Sequence, residues 1–518
     1  MPRHAPLLAT LALLVLPIAA PAQEIRLGLE LFPNSLDPHW HNFSGNKGFS
    51  AHLYEPLVAL DAQQRPVAAL ATGWTATEAN TWRITLREGV RFHDGAPLTA
   101  ADVAHTLRRA ADVPGSPSSF AVYLRQIRAV ETPDDRTVVL RTATPFPLMP
   151  VYLSQVPIIR ATGATTADFD AGRAAIGTGP FRLTGFARGE QVTMARHDAY
   201  WGGASPWARA SIRNMAQPAT RVAALLAGDL DGIDAAPPQD LPRLSADPRL
   251  RVSTLVAPAV AGFHLDVTER APPGITAQDG SPLARNPLAD PRVREALSLA
   301  IQRDAIVDRT MGGQARMAGQ FMPPGTYGHA PGLAPPPFDV ARSRALLTEA
   351  GYPQGFRMII HCQNNRFVND EQICQAVAQM LTRAGVRTLV EAMPHVMHVS
   401  RGRNREFSFW TGLWNVETGE PSSPLVTLLG TVDEARGRGQ FNRGRYSNPA
   451  FDGLLDRALA ELDDTAREAL LIAATEIAFR DVALIPLHHQ MHLWAHRTGR
   501  VHAPRLDGYT RAMDFRPE

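Results

Sequence analysis

Residues 290–328 read DPRVREALSLAIQRDAIVDRTMGGQARMAGQFMPPGTYG. Val293, Leu297, Ala300, Ile301 and Ile306 recur near helical spacing, which predicts a helix with one buried face. Asp290 is placed to cap it. Pro291 suits the first turn, where the amide hydrogen it lacks would have no helical partner. Gly312 and Gly313 end a second short helix, and a Pro/Gly loop follows. As physics the stretch is an amphipathic helix with a well-marked end, and nothing in it specifies an activity.

The whole chain bounds the answer. Its 518 residues suffice for two or three domains, and 45% hydrophobic with 20% charged residues fits a globular protein with a sizeable core. A formal net charge of +2 gives no pull towards nucleic acid or anionic lipid, so neither is an expected partner. The basic side chains are almost all arginine, with Lys47 the single lysine, a bias we read as genome composition. At the N-terminus Arg3 and His4 precede an apolar run from Leu7 to Ala20, and Ala20-Pro21-Ala22 fits a small-x-small cleavage site. We expect residues 1–22 to be a signal peptide cleaved after Ala22, leaving an exported, periplasmic chain. No Cys stands at that junction for a lipid anchor.

Coarse patterning alternates strands and helices, which means α/β layers. Residues 82–87 read as a strand, Asp94-Gly95 as a hairpin turn, and Thr99 to Asp102 as a capping box opening a helix. Gly177-Thr178-Gly179 reads as a turn that needs positive φ. It lacks the Gly-Lys-Ser/Thr pattern of a phosphate cradle. Cys362 ends a strand and Cys374 lies in the next helix. In an exported chain this pair is a possible disulfide, with two buried free thiols as the alternative.

Several separated segments resemble one family, in its order. They include residues 35–38 (SLDP), 54–58 (YEPLV), 70–74 (LATGW), 91–95 (RFHDG), 99–103 (TAADV), 177–181 (GTGPF), 200–203 (YWGG), the 290–328 stretch, 446–449 (YSNP) and 485–487 (IPL). The set resembles the dipeptide/oligopeptide- and nickel-type solute-binding proteins of ABC importers, solute-binding protein family 5. The resemblance implies an α/β, two-lobed periplasmic-binding-protein clamshell of type II, with an extra β-rich subdomain in the first lobe. It places the first lobe at 23–264 with 486–518, the extra subdomain at about 60–175, the second lobe at 265–485, and hinge strands near 263–266 and 483–487. A solute would be enclosed between the lobes and delivered to the transmembrane subunits of an ABC permease. The protein would act as a monomer, with no cofactor.

Peptide-binding members hold the ligand's α-ammonium with an Asp after an aromatic–Gly stretch. Here that region, residues 409–421, reads FWTGLWNVETGEP, and the Asp is missing. Trp410 and Trp414 are the expected aromatic wall, with Asn415 and Glu417 as polar readers. Glu420 is the other nearby acid. The resemblance brings the loop of His41 and Asn42 to the cleft, and Arg366 is placed to pair with an anionic group of the ligand. His488, His489, His492 and His496 are the strongest competing signal. On a helix, 488, 492 and 496 would share a face and suit a metal. On a strand, alternate residues stand about 7 Å apart, too far for one ion without other partners.

Three functions are therefore open. The first is capture of a peptide-like or other small amphipathic solute. The second is a metal, metallophore or haem carrier on the same scaffold, supported by the His cluster alone. The third is a hydrolase on this scaffold, for which no nucleophile elbow or His-Glu-x-x-His is visible. The reading taken is a binding protein, not an enzyme.

Overall fold

The computed structural model describes residues 23–518, so the expected signal peptide and its cleavage after Ala22 lie outside the described residues. Twelve strands form one mixed sheet. Its spine is a long antiparallel pair, Leu250–Leu265 and Leu484–Arg497. From one flank extend Gly232–Ile233, Glu24–Leu29, Arg209–Asn214, Gln191–Arg196 and Phe181–Ala187. From the other extend Phe409–Asn415, Arg357–Gln363 and Ile275–Thr276, with Arg387–Met393 paired to Arg357–Gln363.

The spine links the two halves of the molecule. Near one end Gly232 and Ile233 pair with His496 and Ala495, and near the other Ala259 to Leu265 pair with Phe409–Asn415. The register of the spine breaks between Val256 and Val260, around Pro258, which has no amide hydrogen to give the ladder. Past this break the ladder runs on through Phe263, which faces Ile485, to His264 opposite Leu484.

Each half has its own core. In one, Ile25, Leu27, Phe181, Ile212 and Phe515 pack together. In the other, the helix Pro291–Leu299 buries Val293 and Leu297, and Ala300, Ile301 and Ile306 beyond its end join the same core with Phe356 and Phe409. All five apolar positions read from the spacing are at most 1% exposed. Asp290 caps this helix by accepting the Arg292 amide at 2.9 Å. A separate four-stranded sheet, Ala71–Glu78, Thr81–Leu86, Thr137–Thr142 and Ile127–Asp134, packs with the helix Ala100–Ala111 around Ile84, Val103 and Leu140.

The positive φ expected at Gly177-Thr178-Gly179 is not found, and the two cysteines are bonded. Gly177 and Gly179 are glycines because the backbone of His52 and Leu53 passes against them, where any Cβ would collide with it. Cys362, near the end of Arg357–Gln363, is disulfide-bonded to Cys374 on the helix Asp370–Ala384, with Cα atoms 6.6 Å apart. The bond ties the strand to the helix that covers it. Among the described residues no helix is long and apolar enough to cross a membrane.

Candidate functional site

Two adjoining cavities lie between the halves, of about 570 Å³ and about 600 Å³. Gln155, Asn415 and Glu417 line both, so the two form one cleft. The smaller has Asn42, Tyr123 and Tyr152 on one wall and the strand Phe409–Asn415 with Arg366, His398 and Arg443 on the other. Volumes in this range suit a solute of a few residues.

The strand Phe409–Asn415 shapes one wall because it leaves the core along its length. Phe409, Trp410 and Thr411 are buried, Gly412 to Trp414 are half-buried, and Asn415 is exposed. Trp410 packs with Met393 and Phe407, and its ring stacks on His264 at 5.6 Å. Gly412 has no side chain because the His264 ring occupies the space a Cβ would need. Trp414 meets Phe441 edge-on at 5.8 Å, and its indole nitrogen is buried without a hydrogen-bond partner.

The residue that composition gave no reason to select is Lys47. The chain's single lysine reaches into this cleft with its side chain only 9% exposed. Its Nζ lies 3.4 Å from Gln155 Oε1, 3.5 Å from the Tyr123 hydroxyl and 3.6 Å from Glu417 Oε2. Burial alone would lower the ammonium, but Tyr509, Tyr123 and Glu417 outweigh it and hold the group above its ordinary range. Lys47 and Glu417 approach from opposite walls, so this ion pair spans the cleft. The signal in the sequence was rarity: one lysine among 52 basic residues.

The expected site residues separate by their surroundings. Asn42, Arg366, Trp410, Trp414, Asn415 and Glu417 all line the smaller cavity. His41 lines neither cavity, because its ring stacks on Phe43 at 5.1 Å and its Nδ1 meets the Asn34 amide at 2.9 Å. Glu420, three residues beyond Glu417, is buried. It pairs with Arg467 at 2.8 Å and accepts from the Ser422 hydroxyl, so its charge is consumed inside the protein.

The four histidines of the C-terminal strand do not converge. His488 and His489 point into different surroundings from adjacent positions, both fully buried. His492 lines the larger cavity and meets the Leu506 carbonyl at 3.3 Å, whereas His496 meets the Ser253 hydroxyl at 3.1 Å. Among the described residues no group of three His, Cys, Asp or Glu side chains is arranged to hold a metal ion.

Comparison with known proteins agrees with this architecture. The profile described as "Bacterial extracellular solute-binding proteins, family 5 Middle" matches residues 65–435. The glutathione-binding protein GsiB of Salmonella typhimurium is 28% identical over 468 residues, spanning 88% of this chain and 86% of that one. The fold is similar to that of HbpA2 from Haemophilus parasuis, with a TM-score of 0.85, 23% identity, and coverage of 96% of this chain and 100% of that one. It is also similar to the unliganded open form of the periplasmic murein tripeptide-binding protein MppA, with a TM-score of 0.83, 23% identity, and 96% and 98% coverage.

Proposed function

The chain belongs to the bacterial extracellular solute-binding proteins of family 5, and from that membership we propose which kind of solute it takes. As in its family, it is the solute-binding component of an ABC importer. We read the solute as a small peptide that carries both an amino group and acidic groups, glutathione being the model compound. The observation that carries this reading is the cleft-spanning pair of Lys47 and Glu417, 3.6 Å apart. An exposed carboxylate and a buried ammonium on opposite walls offer counter-charges to an amine and to a carboxylate of one zwitterionic solute. The GsiB relatives, named for glutathione, support the same class.

In this reading the lobes are 23–264 with 486–518 and 265–485, and they turn about the strands near 263–266 and 483–487. Solute touching both walls favours the closed form, and closure expels water and strengthens each polar contact. The closed monomer then docks on the transmembrane subunits of its permease. It carries out no chemistry on the solute. Export by cleavage after Ala22 completes the picture.

Small-angle X-ray scattering tests it. Adding glutathione to ligand-free protein is expected to reduce the radius of gyration without changing the mass. A scattering curve unchanged at saturating concentrations of glutathione and of mixed di- and tripeptides would count against capture by closure.

A further inference from the structure

Buried arginines in this chain are held by carboxylates or, as Arg294 and Arg303 are, by backbone carbonyls. Arg109 has Asp37 at 2.6 Å, Arg467 has Glu420 at 2.8 Å, and Arg505 has Asp507 at 2.7 Å. Arg443 breaks the pattern. It lines the smaller cavity, and among the described residues its guanidinium makes no ion pair and no hydrogen bond. Burial lowers its pKa, and the next influence is another cation, Arg403, rather than an acid. The side chain is half-buried, so its donors face the open space of the cavity. Its position is nevertheless fixed, since it lies against Gly402 at the C-terminal end of the helix His395–Arg403. The negative end of the helix dipole favours a cation there, while the side-chain donors remain free.

The surroundings carry the same sign. Arg366, an exposed side chain, lines the same wall and adds a second positive charge there. His264, His395 and His398 complete that wall, and burial, with Arg443 acting in the same direction, lowers the pKa of each imidazole. Among the described residues the one carboxylate lining this smaller cavity is Glu417, which faces Lys47, while Glu30, Asp234 and Asp507 line the larger one. The smaller cavity therefore has a cationic end at Arg443 and an acidic edge at Glu417.

We propose that Arg443, assisted by Arg366, is an anion subsite that takes a carboxylate of the solute and fixes its direction in the cleft. A planar guanidinium with free donors suits a two-point contact with a carboxylate. This rests on the reading of the cleft as the solute site, and it adds which end of the solute goes where. The amine points to Glu417 and the acid to Arg443.

The test uses full-length mature protein with two probes, glutathione and its dimethyl ester, in which both carboxylates are blocked. Wild type is expected to prefer glutathione by about 30-fold or more, as for a desolvated charge pair. Arg443→Gln should lose most of that preference through weaker glutathione binding, with ester affinity unchanged. Arg443→Lys should recover part of it, and thermal melts should show all three proteins folded. An Arg443→Gln protein that keeps the wild-type preference overturns the subsite. If wild type binds neither probe, it is the glutathione-like reading that fails. The subsite is then judged with tripeptide libraries carrying free or amidated C-termini, read by native mass spectrometry. Enrichment of free acids on wild type and not on Arg443→Gln supports it, and equal capture of the two libraries overturns it. Capture of neither library counts against the binding-site reading on which it rests.

Discussion

Taking the protein from pH 7 to pH 5 is expected to remove upwards of about 5 kcal/mol of folding stability, four of its buried histidines alone outweighing the opposing carboxyl. His39, His52 and His488 are at most 2% exposed, and burial pushes each imidazole down to about 4. His489, equally buried, falls to about 3. In the unfolded chain each titrates near its ordinary value of about 6.5. The folded state therefore binds fewer protons, and stability present above pH 6.5 is lost as the pH falls through the window from about 6.5 to about 4. By pH 5 each imidazole accounts for about 2 kcal/mol. Asp234 opposes this, because burial raises its carboxyl to about 7 and it gains about 2 kcal/mol over the same interval. The net loss is comparable to the whole stability of an ordinary domain. Urea midpoints measured at half-unit steps of pH read it directly, and a midpoint that stays flat from pH 7 to pH 5 would contradict it. His488→Met, which keeps the bulk and removes the titration, should make the decline shallower.

The second large effect separates two acids that stand three residues apart. Glu420→Ala is expected to cost about 3–5 kcal/mol, because it strands the buried Arg467 guanidinium without its carboxylate. Glu417→Ala should leave stability within about 0.5 kcal/mol, since that carboxylate is 61% exposed and the Lys47 ammonium keeps Gln155 and Tyr123 as partners. It should instead weaken solute binding by about tenfold, through loss of the acidic edge of the cleft. Chemical denaturation and calorimetric titration on the two variants check both halves. Equal loss of stability in the two, or unchanged binding by Glu417→Ala, would contradict the assignment.

These two acids also mark where sequence reading stops. In the string VETGEP nothing tells Glu417 from Glu420. The difference is made by Arg467, which the fold brings under one of them and not the other. Periodicity located the helix Pro291–Leu299 with Val293 and Leu297 on its core face, because a helix face on a core repeats its environment every turn, and the three apolar positions beyond it join the same core. The strand Leu484–Arg497 was legible only at its apolar start. Beyond Leu487 it runs from one half to the other past changing neighbours, so no single period describes it. Lys47 and Arg443 carry no local pattern at all. Each matters through what the opposite wall of a cleft presents or withholds, and that is a property of tertiary structure.

On the proposed reading the cleft encloses a small peptide bearing acidic and amino groups. Native mass spectrometry of protein recovered from its own periplasm, without refolding, tests it most directly. The account predicts one excess mass per chain that is released on activation as a small peptide with at least one free carboxylate. A released ligand that is a metal ion, a haem or a compound with no acidic group would contradict it.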